Sequence, residues 1–412
     1  MRRTKYLVIW GTKAKGQNAF EILKEYEEIQ IVAFGDNDPE QWGKTCCGKN
    51  IINVEQLEKL QDVDGVVIAA SPEYIEEIYK GLENAVKVPI YRNVHDLADM
   101  RASIDISGWC NAQCRWCATG IKNRNGVRTE HTYMSVERFR EVYEHLLEAN
   151  ILNRFNEVLL YSWGEPFLNP DYLKILEYLS LNDQVYSMST NASAVKLSQT
   201  PGIYKNCRTF IFSMPGFSQK SYDKIHKFNF EKIKANIKEG IENIRRCGFE
   251  GDAILSYHVY QFNKDEIPMA RSFAESLGIK FVPIYAYFAG FGLALQYLSD
   301  EMTQDVRKAA EQELILDHVS QLMTDRPADF ECMIQRMISI NAKGQIELCC
   351  CADHEVKDYE WGSVFNLKSY PEWEKLRKKM LHSETCKICR ESGLGYWIFH
   401  NPPLEEKTIL DK

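Results

Sequence analysis

Three cysteines crowd the segment Cys110-Asn111-Ala112-Gln113-Cys114-Arg115-Trp116-Cys117, and their C-x3-C-x2-C spacing constrains this chain more than any other feature. Thiolates this close together hold three irons of a cubane and leave the fourth iron without a protein ligand. An open metal position marks catalysis, whereas a structural or electron-transfer cluster is normally closed by four ligands. The competing readings are a zinc site completed from elsewhere and three ordinary core cysteines. Zinc knuckles favour paired C-x2-C units, which this segment lacks. Its position also matters: ASIDIS (102–107) reads as a strand, so the cysteines follow that strand's carboxyl end.

The rest of the cysteine usage agrees. Thirteen cysteines cluster at 110–117, 332–351 and 386–389, with Cys46, Cys47, Cys207 and Cys247 outside the groups. In a reducing compartment such clusters are metal ligands or reactive thiols rather than disulfides. Cys207 and Cys247 sit among apolar residues at element ends and read as packing residues. With 45% apolar and 12% aromatic residues, the 412-residue chain has material for two to three cores. A net charge of −8 with both signs dispersed argues against nucleic acid as a partner. No apolar run is long enough to span a bilayer, and MRRTKYLVIWG does not read as a signal peptide. No membrane partner and a cytoplasmic location are therefore expected.

Strand and helix patterns alternate along the chain. KYLVIW (5–10), IQIVAFGD (29–36), VDGVVIAAS (63–71) and VPIY (88–91) read as strands of a Rossmann-like parallel sheet over residues 1–100. The loop Gly11-Thr12-Lys13-Ala14-Lys15-Gly16 stands where a dinucleotide fingerprint would, but Lys13 replaces the middle glycine. That side chain crowds an approaching pyrophosphate, so the favoured reading is a domain that binds no nicotinamide and docks part of the substrate. Asp36 is expected to remain free for a hydroxyl pair. From residue 101 the alternation resumes on a larger scale. Strands at 102–107, 157–162, 185–190, 208–213, 254–260 and 280–287 read as a (β/α)6 partial TIM barrel over 101–295, with chemistry at the strands' carboxyl ends. Ser135 is a candidate N-cap for a helix over 136–147. A polar helical linker (296–330) and a cysteine-rich domain (331–412) complete an α/β chain.

The first cysteine group resembles the signature of the radical S-adenosylmethionine (SAM) superfamily, in which an aromatic residue, here Trp116, precedes the last cysteine. The resemblance continues at later strand ends. Tyr161-Ser162-Trp163-Gly164-Glu165-Pro166 is similar to the family's "GGEP" turn, with Trp163 where the first glycine is usual. The resemblance implies that Gly164, Glu165 and Pro166 meet the SAM amino group, and that Ser189, Thr190, Asn191 and Ser213 contact its ribose and carboxylate. It also implies a [4Fe–4S] cluster on Cys110, Cys114 and Cys117 that reductively cleaves SAM to a 5′-deoxyadenosyl radical, fed by a flavodoxin- or ferredoxin-type reductant.

Beyond the barrel, INAKGQIELCCC reads as a hairpin turning at Gly344. Cys332, one cysteine of the 349–351 triplet, Cys386 and Cys389 can then supply four ligands. This resembles the SPASM/twitch extensions of radical SAM enzymes, with one auxiliary [4Fe–4S] cluster because no cysteine follows Cys389; structural zinc is the alternative. Cys349 fits the G-x4-C count and Cys350 is second. A continuing strand would put Cys349 and Cys351 on one face and Cys350 on the other.

An auxiliary cluster permits net oxidation of a substrate. The N-terminal unit looks like domains fronting sugar-modifying enzymes, which points to a sugar, cyclitol or nucleotide-sugar. A peptide maturase, of ribosomal-peptide or sulfatase type, is the alternative, and a non-catalytic Fe–S electron carrier is a third. No acid or base is assigned among Tyr257, His258, Tyr260, Asp353 and His354, since a histidine in such a place is as often packed as catalytic.

Overall fold

A computed structural model describes residues 4–400 except 128, 129, 328, 329, 331, 354 and 355, with the side chains of Met333 and Phe399 also left aside. His354 therefore lies outside the described residues. The chain divides into two compact units. One comprises Met1–Arg101, Leu146–Asn156 and Leu367–Lys375; the other comprises Ala102–His145, Glu157–Asn366 and Leu376–Lys412.

The first unit holds β1 (Lys5–Trp10), β2 (Ile29–Gly35), β3 (Thr45–Cys46), β4 (Lys49–Ile52), β5 (Gly65–Ile68) and β6 (Ile90–Tyr91), in the order β3-β4-β2-β1-β5-β6. All pairs are parallel except the β3–β4 hairpin. Leu7, Val8, Ile9 and Trp10 are almost wholly buried, the pattern of a central parallel strand covered on both faces. The hairpin has no counterpart in the sequence reading. Its turn is Cys47-Gly48, with φ of 48° and 75°, a left-handed pair usually signalled by Asn-Gly.

Two glycines of the loop after β1 do steric work. At Gly11 (φ 124°) a Cβ would fall 2.4 Å from the Ala69 carbonyl oxygen, and at Gly16 one would fall 1.9 Å from that of Gly11. Lys13 precedes the helix Ala14–Leu23. The expectation that Asp36 stays free is corrected: Oδ2 accepts from the Thr12 amide at 3.2 Å and from its hydroxyl, and Oδ1 accepts from the Asp38 amide at 3.0 Å. The carboxylate is spent on shaping its own loop.

The second unit carries β7 (Arg101–Ile104), β8 (Glu157–Leu159), β9 (Tyr186–Thr190), β10 (Cys207–Met214), β11 (Asp252–Val259) and β12 (Lys280–Tyr285), followed by β13 (Met337–Ile340), β14 (Gln345–Glu347) and β15 (Glu360–Ser363). The sheet order is β12-β11-β10-β9-β8-β7-β13-β14-β15. Six strands in chain order form the expected partial (β/α)6 barrel, with helices in every connection except that from β9 to β10, and the C-terminal strands extend the sheet beyond β7, β13–β14 and β14–β15 pairing antiparallel. Ser135 caps the helix Val136–Glu148 by accepting the Arg138 amide at 3.2 Å. Tyr186, Met188 and Met214 are core, as are Cys207 and Cys247. Gly344 takes φ 81° in the β13–β14 turn.

Two expectations change here. EVLLYS ends as a strand at Leu159, so Tyr161 and Ser162 belong to the following turn. β14 ends at Glu347, so the cysteine triplet is not a strand: the Ala352 amide turns back to the Cys349 carbonyl at 3.3 Å. The face alternation expected for Cys349, Cys350 and Cys351 does not hold.

Candidate functional site

The carboxyl ends of the barrel strands border one cavity of about 270 Å³. Its lining brings together Cys110, Cys114, Trp116, Cys117, Gly164, Glu165, Ser189, Thr190, Asn191 and Ser213, every site residue expected in the barrel except Pro166. Pro166 is buried just behind, opening the short 3-10 helix Pro166–Leu168.

The cysteine loop is fixed by polar side chains that grip its backbone. Asn123 Nδ2 donates to the carbonyls of Cys110 and Ala112, both at 2.7 Å. Arg124 donates to the Gln113 carbonyl at 2.8 Å and to that of Ile225 at 3.0 Å. Both residues lie on the helix Ala118–Arg124, where Gly120 permits the contact: a Cβ there would fall 2.3 Å from the Cys114 carbonyl oxygen. The far end of the loop pairs with the chain after β12, as the Ala289 amide donates to the Trp116 carbonyl at 2.7 Å and the Ala118 amide to that of Ala289 at 2.9 Å. Trp116 is itself anchored, its Nε1 donating to Glu313 at 3.1 Å and its ring meeting Phe288 edge-on.

Burial pushes the Cys110, Cys114 and Cys117 thiols above the ordinary range, so each stays protonated unless a metal takes the proton's place. Among the described residues, no three His, Cys, Asp or Glu side chains are drawn together as ligands of a single ion. A cubane takes its thiolates one per iron. Asn191 Nδ2 lies 3.6 Å from the Cys110 sulfur, a donor that favours the thiolate.

The Gly-Glu-Pro turn is held from two sides. Asp105, just past β7, accepts the amides of Trp163 at 3.0 Å and Gly164 at 3.1 Å. Burial raises its carboxyl to about 6 against those donors. Glu165 accepts from the Phe167 amide at 3.1 Å, the Thr190 hydroxyl at 2.7 Å and the Asn191 amide at 2.7 Å, joining the ends of β8 and β9. Burial lifts it to about 7 despite these bonds. Gly164 is obligatory, since a Cβ would sit 1.3 Å from the Ser107 carbonyl oxygen.

Sequence reasoning missed Asp105, His226, Asn123 and Arg124. Asp105 had a signal, a lone carboxylate in an apolar strand beside the cysteines; His226 had none. His226 and His258 line the cavity, and burial lowers them to about 3 and about 4, so both are neutral near pH 7. Three residues of this lining carry a buried side-chain atom with no hydrogen-bond partner among the described residues: Ser162 Oγ, Trp163 Nε1 and His226 Nδ1. Of the three, His226 borders the larger cavity alone, and a ligand carrying amino, carboxylate, ribose and adenine groups would offer it a partner, so donor set and cavity both fit SAM beside a cubane.

The C-terminal thiols form a second group. Cys332 precedes β13, Cys349 follows β14, and Cys386 and Cys389 lie on the helix Glu384–Ser392. Their charges act on one another: Cys389 feels Cys349, Cys332 and Cys386. Burial lifts Cys332 to about 11 and Cys389 to about 12, whereas a hydrogen bond from the Cys351 thiol lowers Cys349. Cys350 and Cys351 instead line a separate cavity of about 180 Å³ with Cys117, Ser162, Trp163 and Tyr287. Tyr257 is buried core, Tyr260 lines the larger cavity, and Asp353 Oδ2 accepts the Phe291 amide at 2.9 Å.

Comparisons with known proteins accord with this geometry. Residues 104–274 match the family model "Radical SAM superfamily" and residues 3–94 match "C2185-like, N-terminal". No curated protein matches the chain. Among solved structures, Streptococcus suis SuiB bound to precursor peptide SuiA is 15% identical with a TM-score of 0.47, covering 81% of this chain and 78% of that one. The native anSMEcpe with bound AdoMet and Cp18Cys peptide is 12% identical with a TM-score of 0.42, covering 76% and 98%. UDP-D-quinovosamine 4-dehydrogenase from Vibrio fischeri is 24% identical with a TM-score of 0.19, over 21% and 75%. No helix among the described residues is long and apolar enough to cross a membrane. With three cysteines, the Gly-Glu-Pro turn and the β9 and β10 ends around one cavity, and the family match spanning the same strands, residues 104–274 of this chain are a radical SAM domain.

Proposed function

We propose that this radical SAM enzyme removes a hydrogen atom from a residue of a peptide, and that its C-terminal thiols hold an auxiliary [4Fe–4S] cluster that makes the net reaction an oxidation. Cys110, Cys114 and Cys117 would hold a cubane with one open iron, which when reduced would supply the electron that splits SAM into methionine and the hydrogen-abstracting 5′-deoxyadenosyl radical. The observation that carries the reading is the convergence of Cys110, Cys114, Cys117 and the ends of β8, β9 and β10 on one cavity.

The protein's own residues position and shield. Asn123 and Arg124 hold the cysteine loop, so that the thiols need little rearrangement on loading. Asp105 and Glu165 hold the turn that borders the SAM site. Neutral His226 and His258 offer hydrogen bonds without adding charge beside a cationic sulfonium. Trp116, Phe288 and Phe291 belong to one buried cluster that keeps water from the loop's outer side. Electrons come from an external flavodoxin- or ferredoxin-type donor.

The substrate class follows from space and polarity. The cavity next to the SAM site is about 180 Å³, and Phe288, Phe291, Ala294 and Ile398 give it an apolar wall, which favours the side chain of a peptide residue over a sugar. The test is anaerobic reconstitution with iron and sulfide, reduction with dithionite, and chromatography for 5′-deoxyadenosine. Stoichiometric 5′-deoxyadenosine with a peptide mass loss of two hydrogens is the expected result. No SAM cleavage by fully loaded protein would overturn the enzyme assignment.

A further inference from the structure

We infer that the 180 Å³ cavity is a chamber for a single apolar amino-acid residue, with Ser162 and Trp163 as the hydrogen-bond partners of its amide; this rests on the peptide reading above. Trp163 carries much of the argument. It stands in a turn whose backbone Asp105 fixes through the Trp163 amide at 3.0 Å, so the residue is held in place. Trp163 borders both the SAM cavity and the smaller one. Ser162 borders the same two spaces.

The lining is chemically lopsided. Phe288, Phe291, Ala294 and Ile398 give it an apolar wall, with Phe288 and Phe291 themselves buried. The polar complement is small: Ser162 Oγ and Trp163 Nε1, both buried and unpartnered, with the Tyr287 phenol and the Cys350 and Cys351 thiols. A buried donor without a partner is costly, and a ligand acceptor removes the cost. One amide carbonyl suits two such donors, and an aliphatic or aromatic side chain suits the wall. A hexose brings several hydroxyls to the same space. Each one left unpaired weakens binding by about tenfold or more.

The test uses anaerobically reconstituted, oxidised holoenzyme with SAM present, so that binding is read without turnover. Dissociation constants are measured by isothermal titration for N-acetyl-L-leucinamide, N-acetylglycinamide, N-acetyl-L-aspartic acid amide and methyl α-glucoside. The leucine probe is expected to bind at least about tenfold more tightly than the glycine probe, since burying its side chain is worth that much. Trp163→Phe and Ser162→Ala should each weaken the leucine probe by about five- to tenfold. Ile398 is only partly buried, and Ile398→Lys should reverse the preference between the leucine and aspartate probes. A loss of fold would weaken all probes alike, so the reversal separates a lining role from a structural one. Equal binding of the amides, or an unchanged preference in Ile398→Lys, overturns the chamber while a peptide mass change in turnover leaves the peptide reading standing. Tighter binding of the glucoside than of every amide overturns both.

Discussion

Cys110, Cys114 and Cys117 lie on one loop after β7, whereas Cys332, Cys349, Cys386 and Cys389 are gathered from a short 3-10 entry, a hairpin exit and a distant helix. The first group is set by local spacing and by Asn123 and Arg124 gripping the loop's carbonyls. The second exists only once β13, β14 and the helix Glu384–Ser392 have come together, so its assembly bears the closure entropy of long loops. Three thiols beside a ligand-sized cavity leave an iron open for chemistry; four thiols close a cluster. On the proposed function the difference would separate making a radical from disposing of an electron, and each prediction below tests that separation.

The largest effect is expected from the ligands. Alanine at any one of Cys110, Cys114 or Cys117 should lower 5′-deoxyadenosine formation by about a thousandfold or more, because a cubane loses one of its only three protein anchors. The triple variant should fall from about eight irons per chain to about four. Alanine at Cys332, Cys386 or Cys389 should instead spare substrate-free SAM cleavage and abolish conversion of the peptide. Equal loss of SAM cleavage from both groups would break the comparison, and zinc rather than iron in the triple variant would make the second site structural.

Next in size are the glycines. Gly120→Ala forces a Cβ to 2.3 Å from the Cys114 carbonyl oxygen, whereas a Cβ at Gly292, in the helix Phe291–Leu298, meets nothing within 4 Å. Overpacking of the first kind costs about 1–3 kcal/mol, and the helical glycine gains about 0.5–1 kcal/mol on conversion to alanine. Differential scanning of the two variants should show shifts of opposite sign. Iron analysis should show Gly120→Ala losing iron at the first group only. Matching losses at both groups would mean that the two sites share one folding fate.

Protons distinguish the cavity further. A histidine whose folded value is lowered adds stability that is present above its unfolded value, near 6.5, and is lost as pH falls toward the folded one. For His258, with a folded value of about 4, the loss between pH 7.5 and 5.5 is about 1 kcal/mol. Glu165 works the opposite way. Its carboxyl is raised to about 7, so stability is full below about 4.5 and declines as pH rises through 7. The two trends offset in the wild type, so the useful measurement is a difference. Urea unfolding of His258→Gln should lose about 1 kcal/mol less than wild type on acidification over that window. An identical loss would place the proton uptake elsewhere.

How much of this was legible in the sequence depended on the range of the signal. The cysteine spacing, the Gly-Glu-Pro turn and the strand-end Ser189, Thr190, Asn191 and Ser213 are short patterns on a regular β/α repeat, and the barrel carried all of them to one cavity. Asp105 and His226 escaped because their roles arise from burial, which no local pattern reports. Asp36 was misjudged for the same reason: its position matched a ribose-binding acid, but Thr12 lay close enough to take it. The Cys47-Gly48 hairpin was missed because its left-handed pair lacks the usual asparagine. The triplet differs because strand periodicity extended to Cys351 runs four residues past the strand's end at Glu347.

The finest distinction is expected between two neighbouring thiols. Cys349 acts electrostatically on Cys332, Cys386 and Cys389, while Cys350 lines the 180 Å³ cavity with Cys351 at 3.9 Å. A turn after Glu347, with the Ala352 amide donating to the Cys349 sulfur at 3.3 Å, sends the adjacent side chains to different places. Cys349→Ala should therefore cost about four irons per chain, and Cys350→Ala should cost none. Iron and labile sulfide assays, with the electron paramagnetic resonance of the dithionite-reduced protein, decide between them. Loss of the second cluster's signal in Cys350→Ala, with retention in Cys349→Ala, would exchange the two residues. The four-thiol group would survive that exchange, but the turn that now separates it from the cavity would not.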